Sequence, residues 1–184
     1  LKKLYISKNG RVEGYDKYFA SLNGSHIDEK IKALKNEMLN KVAPDFSLKD
    51  LQGTTVNLID LKGKIIVLDF WATWCGPCKA SFPAMQAMVD KYKDNENVKF
   101  LFIDTYERGA NKEKAANDYI TEKGFSFQVL MDNSDEVAKS YGANNIPAKF
   151  VIDKNGNMQF KSAGFRNDAD LMTEIEAMIT TLEK

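Results

Sequence analysis

The sequence is poor in the side chains that bind metals or build disulfide frameworks. Its 184 residues include two cysteines and one histidine, His26. A structural zinc site needs further cysteine or histidine ligands, so a zinc half-site at the cysteines would have no second half in this chain. A disulfide scaffold needs several cysteine pairs. The sequence therefore predicts no metal site, and the two cysteines need another explanation.

The sequence also lacks an excess of charge of one sign and a long apolar run. Its 26 basic and 26 acidic residues give zero net charge, and no basic stretch alternates with aromatic residues. Both features disfavour nucleic-acid binding. No apolar run reaches the ~18 residues that a membrane helix needs. The chain begins at Leu1 rather than methionine, so a targeting segment is expected to lie outside it.

Residues 65–79, I-I-V-L-D-F-W-A-T-W-C-G-P-C-K, organise the rest of the chain. The run from Ile65 to Phe70 is apolar and rich in β-branched side chains, which predicts a strand buried on both faces. An amphipathic segment follows, and Pro77 suits its first helical turn because that position needs no N–H donor. The sequence thus predicts that a buried strand delivers Cys75 and Cys78 to the start of a helix.

The two cysteines are expected to have different surroundings. Cys75 is predicted to lie exposed at the helix start, where backbone N–H groups and the helix dipole stabilise a thiolate. Cys78 lies one turn further in and is predicted to be buried. Thiol–disulfide exchange uses such a pair, because one thiolate attacks a disulfide and the second thiol resolves the mixed disulfide. Two buried, inert thiols are the alternative interpretation.

The motif W-C-G-P-C, preceded by D-F-W-A-T, resembles the active site of the thioredoxin superfamily. Three further blocks resemble its extracytoplasmic TlpA/ResA-like branch: A-P-D-F at 43–46, L-K-G-K at 61–64 and G-A-N-N-I-P-A-K-F-V-I-D at 142–153. The resemblance covers residues 43–184. It implies an α/β, thioredoxin-like domain with a central mixed β-sheet, helices on both faces and an N-terminal hairpin.

Residues 1–42 lie outside the resemblance and form a predicted N-terminal extension. Apolar residues recur there at helical spacing and predict an amphipathic helix over about 26–41. These residues are Ile27, Ile31, Leu34 and Met38. The apolar face could pack on the thioredoxin-like body, belong to the remnant of an upstream domain, or bind a partner.

The resemblance also implies a substrate-binding surface around the cysteines. It implies that the Ile146–Pro147 peptide bond is cis and faces the cysteine pair. Ile146 would then offer its backbone N–H and carbonyl to an extended substrate segment, as in strand addition. Trp74, Gly76 and Pro77 are predicted to complete this surface.

Asp69 is the unusual residue of the buried strand. Burial disfavours the charged carboxylate, so the pKa of Asp69 should rise. We expect Asp69 to accept a proton from Cys78 during resolution; the alternative is that its side chain reaches a loop N–H or solvent. Many haem-maturation members of the branch carry a glutamate three residues after the second cysteine. Ser81 stands there in this chain, which disfavours that role and favours Asp69 as the base.

The sequence predicts thiol–disulfide oxidoreduction on protein substrates through the redox-active pair Cys75–Cys78, without an organic cofactor. The Gly76–Pro77 pair resembles the reducing members of the superfamily. The resemblance therefore implies a reductant in the periplasm or another extracytoplasmic compartment. A membrane thiol-electron transporter would recharge it.

Two other functions compete with this prediction. A peroxiredoxin-like peroxidase shares the A-P-D-F block, and Thr73 lies two residues before Cys75, although the proline that peroxidases use is absent. Alternatively, the chain is a partner-binding module in which residues 1–42 recruit the partner and the cysteines are secondary.

Overall fold

The computed structural model describes residues 27–183 of the protein. The strands are β1 (Lys41–Val42), β2 (Ser47–Asp50), β3 (Thr55–Asn57), β4 (Ile65–Trp71), β5 (Val98–Asp104), β6 (Val129–Met131), β7 (Ala148–Ile152) and β8 (Asn157–Ala163). The helices are α1 (residues 27–36), α2 (Gly76–Tyr92), α3 (Lys112–Lys123), α4 (Glu136–Ser140) and α5 (Asp168–Glu183), with a 3-10 turn at Leu58–Leu61.

The strands form one mixed sheet in the order β1-β8-β7-β4-β5-β6-β2-β3. β4 is parallel to β5 and antiparallel to β7. The predicted N-terminal hairpin is confirmed: β2 pairs with β3, with Leu48 opposite Val56, and β2 joins the sheet through β6. The strand that leads to the cysteines therefore lies in the interior of the sheet.

The side chains of β4 alternate between two buried layers, as a strand covered on both faces requires. One layer, here called the cysteine face, contains both cysteines and receives Ile65, Val67 and Trp71 from β4. The other, here called the opposite face, receives Ile66, Leu68 and Phe70. Asp69 lies between Val67 and Trp71 in the alternation, so its carboxylate belongs to the cysteine face.

Helices cover both faces of the sheet, as predicted. Helices α1, α2, α3 and α5 contribute to the cysteine face, for example through Phe82 of α2 and Ile175 of α5. Helix α4 and the 3-10 turn contribute to the opposite face, through Ala138 and Leu58. The cysteines thus lie within the larger of the two buried layers.

The described part of the N-terminal extension packs on the body of the domain. Ile31 and Leu34 of α1 are buried in the cysteine-face layer. The backbone N–H of Leu39 donates to the carbonyl of Gln159 at 2.9 Å. Packing is therefore the observed role of this apolar face. The earlier part of the extension, with His26, lies outside the described residues.

Two glycines end elements where the sequence predicts it. Gly124 closes α3 in the left-handed conformation, with φ 68°, and its N–H bonds to the last helical turn. Gly156, with φ 87°, forms the turn between β7 and β8. Between residues 27 and 183, no helix combines the length and the apolar composition of a membrane crossing.

Candidate active site

Cys75 and Cys78 form a disulfide at the start of α2, with their Cα atoms 5.3 Å apart. Cys75 is the residue that caps the helix, and Pro77 lies in the first turn. The backbone N–H of Cys78 donates to Cys75 Sγ at 3.2 Å. The helix start therefore points a donor at the sulfur, the arrangement that stabilises a thiolate once the bond is reduced.

The two cysteines differ less in exposure than the sequence suggests. Cys78 is fully buried, as predicted. Cys75 is only 3% exposed, so the prediction of an exposed Cys75 is wrong for the disulfide form. The disulfide holds Cys75 against a buried neighbour, and the exposed surface at this point comes from Trp74, which is 42% exposed. The Ser81 hydroxyl donates to the carbonyl of Cys78 at 2.8 Å.

The Ile146–Pro147 peptide bond is cis, as expected. Pro147 directly precedes β7, and its carbonyl accepts a hydrogen bond from Gly164 at 2.9 Å. Ile146 is half-buried. Among residues 27–183, no hydrogen bond engages the backbone N–H or carbonyl of Ile146. Its backbone groups are therefore available to a bound segment.

The loop after β5 holds the segment that leads into Cys75. Glu107 accepts hydrogen bonds from the backbone N–H of Thr73 at 2.7 Å and from its hydroxyl at 2.8 Å. The indole N–H of Trp74 donates to the carbonyl of Tyr106 at 2.8 Å. The guanidinium of Arg108 lies 4.3 Å from the centre of the Trp74 ring, within the range of a cation–π contact. These contacts hold the indole of Trp74, the residue before Cys75, against the loop after β5.

Beneath this loop, Asp104 lies buried at the end of β5, opposite Trp71. Burial, and then the nearby negative charge of Glu107, raises the pKa of Asp104 to about 8. Asp104 therefore keeps its proton at neutral pH and can donate it to Glu107. Such carboxyl–carboxylate sharing lets two acids lie together in an apolar layer.

Asp69 faces Lys149 of β7, directly across the antiparallel pair. Lys149 Nζ lies 3.2 Å from Asp69 Oδ1, and each residue is 1% exposed. Burial raises the pKa of Asp69, and the charge of Lys149 opposes that rise. Neither carboxylate oxygen has a well-formed hydrogen bond within residues 27–183. The alternative in which Asp69 reaches a loop N–H or solvent is therefore wrong.

Comparison with known proteins places these features in a family. The family model described as the AhpC/TSA family matches residues 39–161, about two thirds of the protein. The chain belongs to the AhpC/TSA family.

Curated and solved relatives of this AhpC/TSA family member are thiol–disulfide proteins. It is 34% identical over 140 residues to the thiol-disulfide oxidoreductase ResA of Geobacillus thermodenitrificans, covering 76% of this chain and 78% of that one. A crystal structure from Chlorobium tepidum, described as a thiol:disulfide interchange protein DsbE, matches with a TM-score of 0.67 and 33% identity. That match covers 78% of this chain and 96% of the other. The predicted TlpA/ResA-like resemblance is confirmed, and the protein is a thiol–disulfide oxidoreductase acting on protein thiols.

The peroxidase alternative loses its main support in this AhpC/TSA family member. That alternative uses Thr73 as a group that would hold a peroxide beside Cys75. In the structure the Thr73 hydroxyl donates its hydrogen to Glu107. The hydroxyl therefore serves the loop contact, and the donor needed for a peroxide oxygen is already occupied.

Sequence reasoning missed the three residues that surround the predicted site from other elements: Glu107, Arg108 and Lys149. Glu107 and Arg108 lie in a polar loop, each 34 positions after its partner, Thr73 or Trp74, and nothing local marks them as partners. The sequence does contain an indication of Lys149. This residue is a lone charge within the apolar run A-K-F-V-I, as Asp69 is within its own run.

Proposed function

We propose that this protein is an extracytoplasmic reductant of protein disulfides. The supporting observation is the Cys75–Cys78 pair at a helix start, with a buried carboxylate on the same face of the sheet. In the reduced protein, the Cys75 thiolate attacks a substrate disulfide, forms a mixed disulfide and releases one substrate thiolate.

Cys78 completes the reaction. Its thiol gives a proton to the Asp69 carboxylate, and the resulting thiolate attacks the Cys75 sulfur. The second substrate sulfur leaves as a thiolate, and the Cys75–Cys78 disulfide remains. Two electrons have passed from the protein to the substrate, so a thiol donor must restore the dithiol. We assign that task to a membrane thiol-electron transporter, and we propose that the cysteine pair works without an organic cofactor or metal.

Substrate binding uses the surface around the disulfide. The free backbone groups of Ile146, beside cis-Pro147, pair with an extended substrate segment. Trp74 covers one side of the sulfur and contacts the same segment, while the exposed Gly76 and Pro77 let the substrate backbone approach closely. Strand pairing of this kind is tolerant of side chains, which fits a reductant with several protein substrates.

The Asp69 step is tested with Asp69→Asn, which keeps the shape of the side chain but cannot accept the proton. We expect resolution to slow about tenfold or more, in line with the usual contribution of a positioned base. Mixed disulfides should therefore accumulate. Rapid mixing with a disulfide substrate, acid quench and non-reducing electrophoresis measure this. Asp60→Asn, at an exposed position, is the matched control. An unchanged turnover rate near neutral pH rules out the role.

The direction of electron flow is tested by redox titration against glutathione. A reductant should have a reduction potential of about −270 mV, whereas a strong oxidant of this fold has a reduction potential of about −120 mV. Since ~30 mV corresponds to ~1.4 kcal/mol for this couple, the two outcomes are well separated. A potential at the oxidising end would reverse the proposed direction and leave the exchange chemistry in place.

A further inference from the structure

Asp69 and Lys149 form an isolated pair of charges in the interior of the protein. They lie opposite each other on β4 and β7, 3.2 Å apart, and each is 1% exposed. No other side chain of the described residues offers either group a well-formed hydrogen bond. A buried ion pair without further partners is an expensive arrangement, because two desolvated charges have only each other. Its position therefore needs an explanation.

The pair lies on the cysteine face, and Lys149 belongs to the strand that directly follows Pro147 of the proposed substrate-binding surface. Val67 and Trp71, on either side of Asp69, contact the same buried layer as Cys78. Lys149 is two residues after Pro147 in the chain, and it shares the cysteine face with Val151, two residues further along β7. The lysine thus links the strand after Pro147 with the carboxylate on the strand that leads to the cysteines.

Few other charges face this pair. The neighbouring strands place Phe102 beside Asp69 and Ser162 beside Lys149, and neither residue titrates. Helix α2 contributes the cysteines. From α5, Glu174 accepts a hydrogen bond from the hydroxyl of Ser162 at 2.9 Å. On β5, Asp104 lies two residues after Phe102 and therefore on the same face of the sheet. Burial and the nearby Glu107 raise the pKa of Asp104 to about 8, so Asp104 adds no charge beside the pair at neutral pH.

We propose that Lys149 is a positioning residue for thiol–disulfide exchange: its ammonium group keeps Asp69 in the carboxylate form, ready to take the proton of Cys78. Burial alone favours the protonated carboxylic acid, which could not act as a base. Lys149 is the cation that opposes this tendency. This inference rests on the proposed role of Asp69 and names the residue that makes that role possible at neutral pH.

The pair also explains how the proton leaves again. When Cys78 gives its proton to Asp69, the S–H bond breaks and an O–H bond forms, and the Cys78 thiolate attacks the Cys75 sulfur. Lys149 is then a buried cation beside a neutral acid, which is unfavourable. This imbalance favours release of the proton to the departing substrate thiolate or to water. The carboxylate is restored and the site is reset.

The test uses Lys149→Met, which keeps the length of the side chain and removes its charge, in wild-type and Asp69→Asn backgrounds. The rate of resolution of a preformed mixed disulfide is measured from pH 5 to pH 9. We expect the rising limb of the wild-type profile to move to higher pH in Lys149→Met. The rate should fall at least tenfold at pH 7 and recover at the alkaline end. Lys154→Met, at an exposed turn, should leave the profile unchanged.

The double variant separates the possible failures. If Lys149 acts through Asp69, Lys149→Met has no further effect in the Asp69→Asn background. An equal slowing in both backgrounds, or an unmoved limb in the single variant, overturns the inference for Lys149 while leaving Asp69 as the base. A normal rate in Asp69→Asn alone overturns the proposed base itself, and with it the role of Lys149.

A measurement on the wild-type protein covers the case in which Lys149→Met does not fold. Infrared difference spectra between wild type and Asp69→Asn report the carboxyl stretch of Asp69 directly. We expect the carboxylate band at pH 7. A protonated carboxyl band at that pH would overturn the inference, since Lys149 would then fail to hold the charged form.

Discussion

The two faces of β4 differ sharply, although they belong to the same seven residues. The opposite face receives Ile66, Leu68 and Phe70, and Phe70 packs edge-on against Phe150, with ring centres 5.6 Å apart. The cysteine face receives Asp69 and Trp71 and lies against the disulfide. One face is therefore an ordinary apolar core, and the other carries buried charges.

The difference indicates a division between stability and chemistry. An apolar layer stabilises the fold in proportion to the area it buries. Buried charges contribute little net stability and are often replaceable by apolar side chains. The acids of the cysteine face, Asp69 and Asp104, both have raised pKa values because they are buried. Groups with raised pKa values near a reactive pair are typical of functional sites.

The largest expected effect comes from the cysteine face. Cys75→Ser should abolish exchange, because no other cysteine can attack a disulfide except the buried Cys78. Cys78→Ser should keep the attack and stop at the mixed disulfide. Both effects are measured by reduction of a disulfide-bonded substrate protein and by trapping of covalent adducts. Stable adducts with Cys75→Ser but not with Cys78→Ser would reverse the assigned roles.

The second prediction concerns a core substitution on the opposite face. Phe150 is fully buried and packs against Phe70 and Tyr141. Phe150→Ala should lower the free energy of unfolding by about 3–5 kcal/mol, as measured by urea denaturation. The exchange rate per folded molecule should stay close to that of wild type. Val42→Ala, at a residue 82% exposed, should change stability by no more than about 0.5 kcal/mol. A large loss of exchange in folded Phe150→Ala would contradict the division between the faces.

The last prediction concerns how stability depends on pH. The pKa of Asp104 is about 8 in the folded protein, against about 3.9 for an unfolded aspartate. The folded state therefore binds more protons between these values, and stability falls as pH rises through this window, by at most about 1.4 kcal/mol per pH unit from this group. Above pH 8 its contribution is constant. Asp104→Asn cannot ionise and should flatten the dependence.

Urea unfolding of wild type and Asp104→Asn at pH 5, 7 and 9 measures this difference. The raised pKa of Asp69 acts in the same direction, so the variant should retain a smaller slope of the same sign. Equal slopes in the two proteins would show that Asp104 ionises normally. Asp69 would then be the acid of the cysteine face whose pKa burial raises.

Much of the fold could be predicted because its signals are local. The run at residues 65–70 predicts a strand, and β4 ends one residue later, at Trp71. The helix predicted over about 26–41 was too long: within the described residues it ends at 36, and the chain then turns to form β1. Met38 continues the apolar spacing and packs against the cysteine-face layer although it lies beyond the helix, so the spacing alone does not mark the helix end.

The partners within the site could not be predicted, because they depend on register between distant strands. Asp69 and Lys149 are 80 positions apart, and only the pairing of β4 with β7 brings them together. The sequence analysis singles out Asp69 as a charge within an apolar run, but it does not identify Lys149 as its partner. The burial of Cys75 was missed for a related reason, since its exposure was predicted from its place at the helix start alone, without the disulfide to the buried Cys78.

The fixed position of Trp74 gives the protein an internal optical reporter. Trp71 is the only other tryptophan, and it is fully buried among aromatic rings. The Trp74 indole is held by Tyr106, and Trp74 directly precedes Cys75 in the chain. A disulfide quenches the fluorescence of a nearby indole by accepting an electron from its excited state. The fluorescence of Trp74 should therefore fall when the disulfide forms and rise when it is reduced. Turnover can thus be followed in real time without a label.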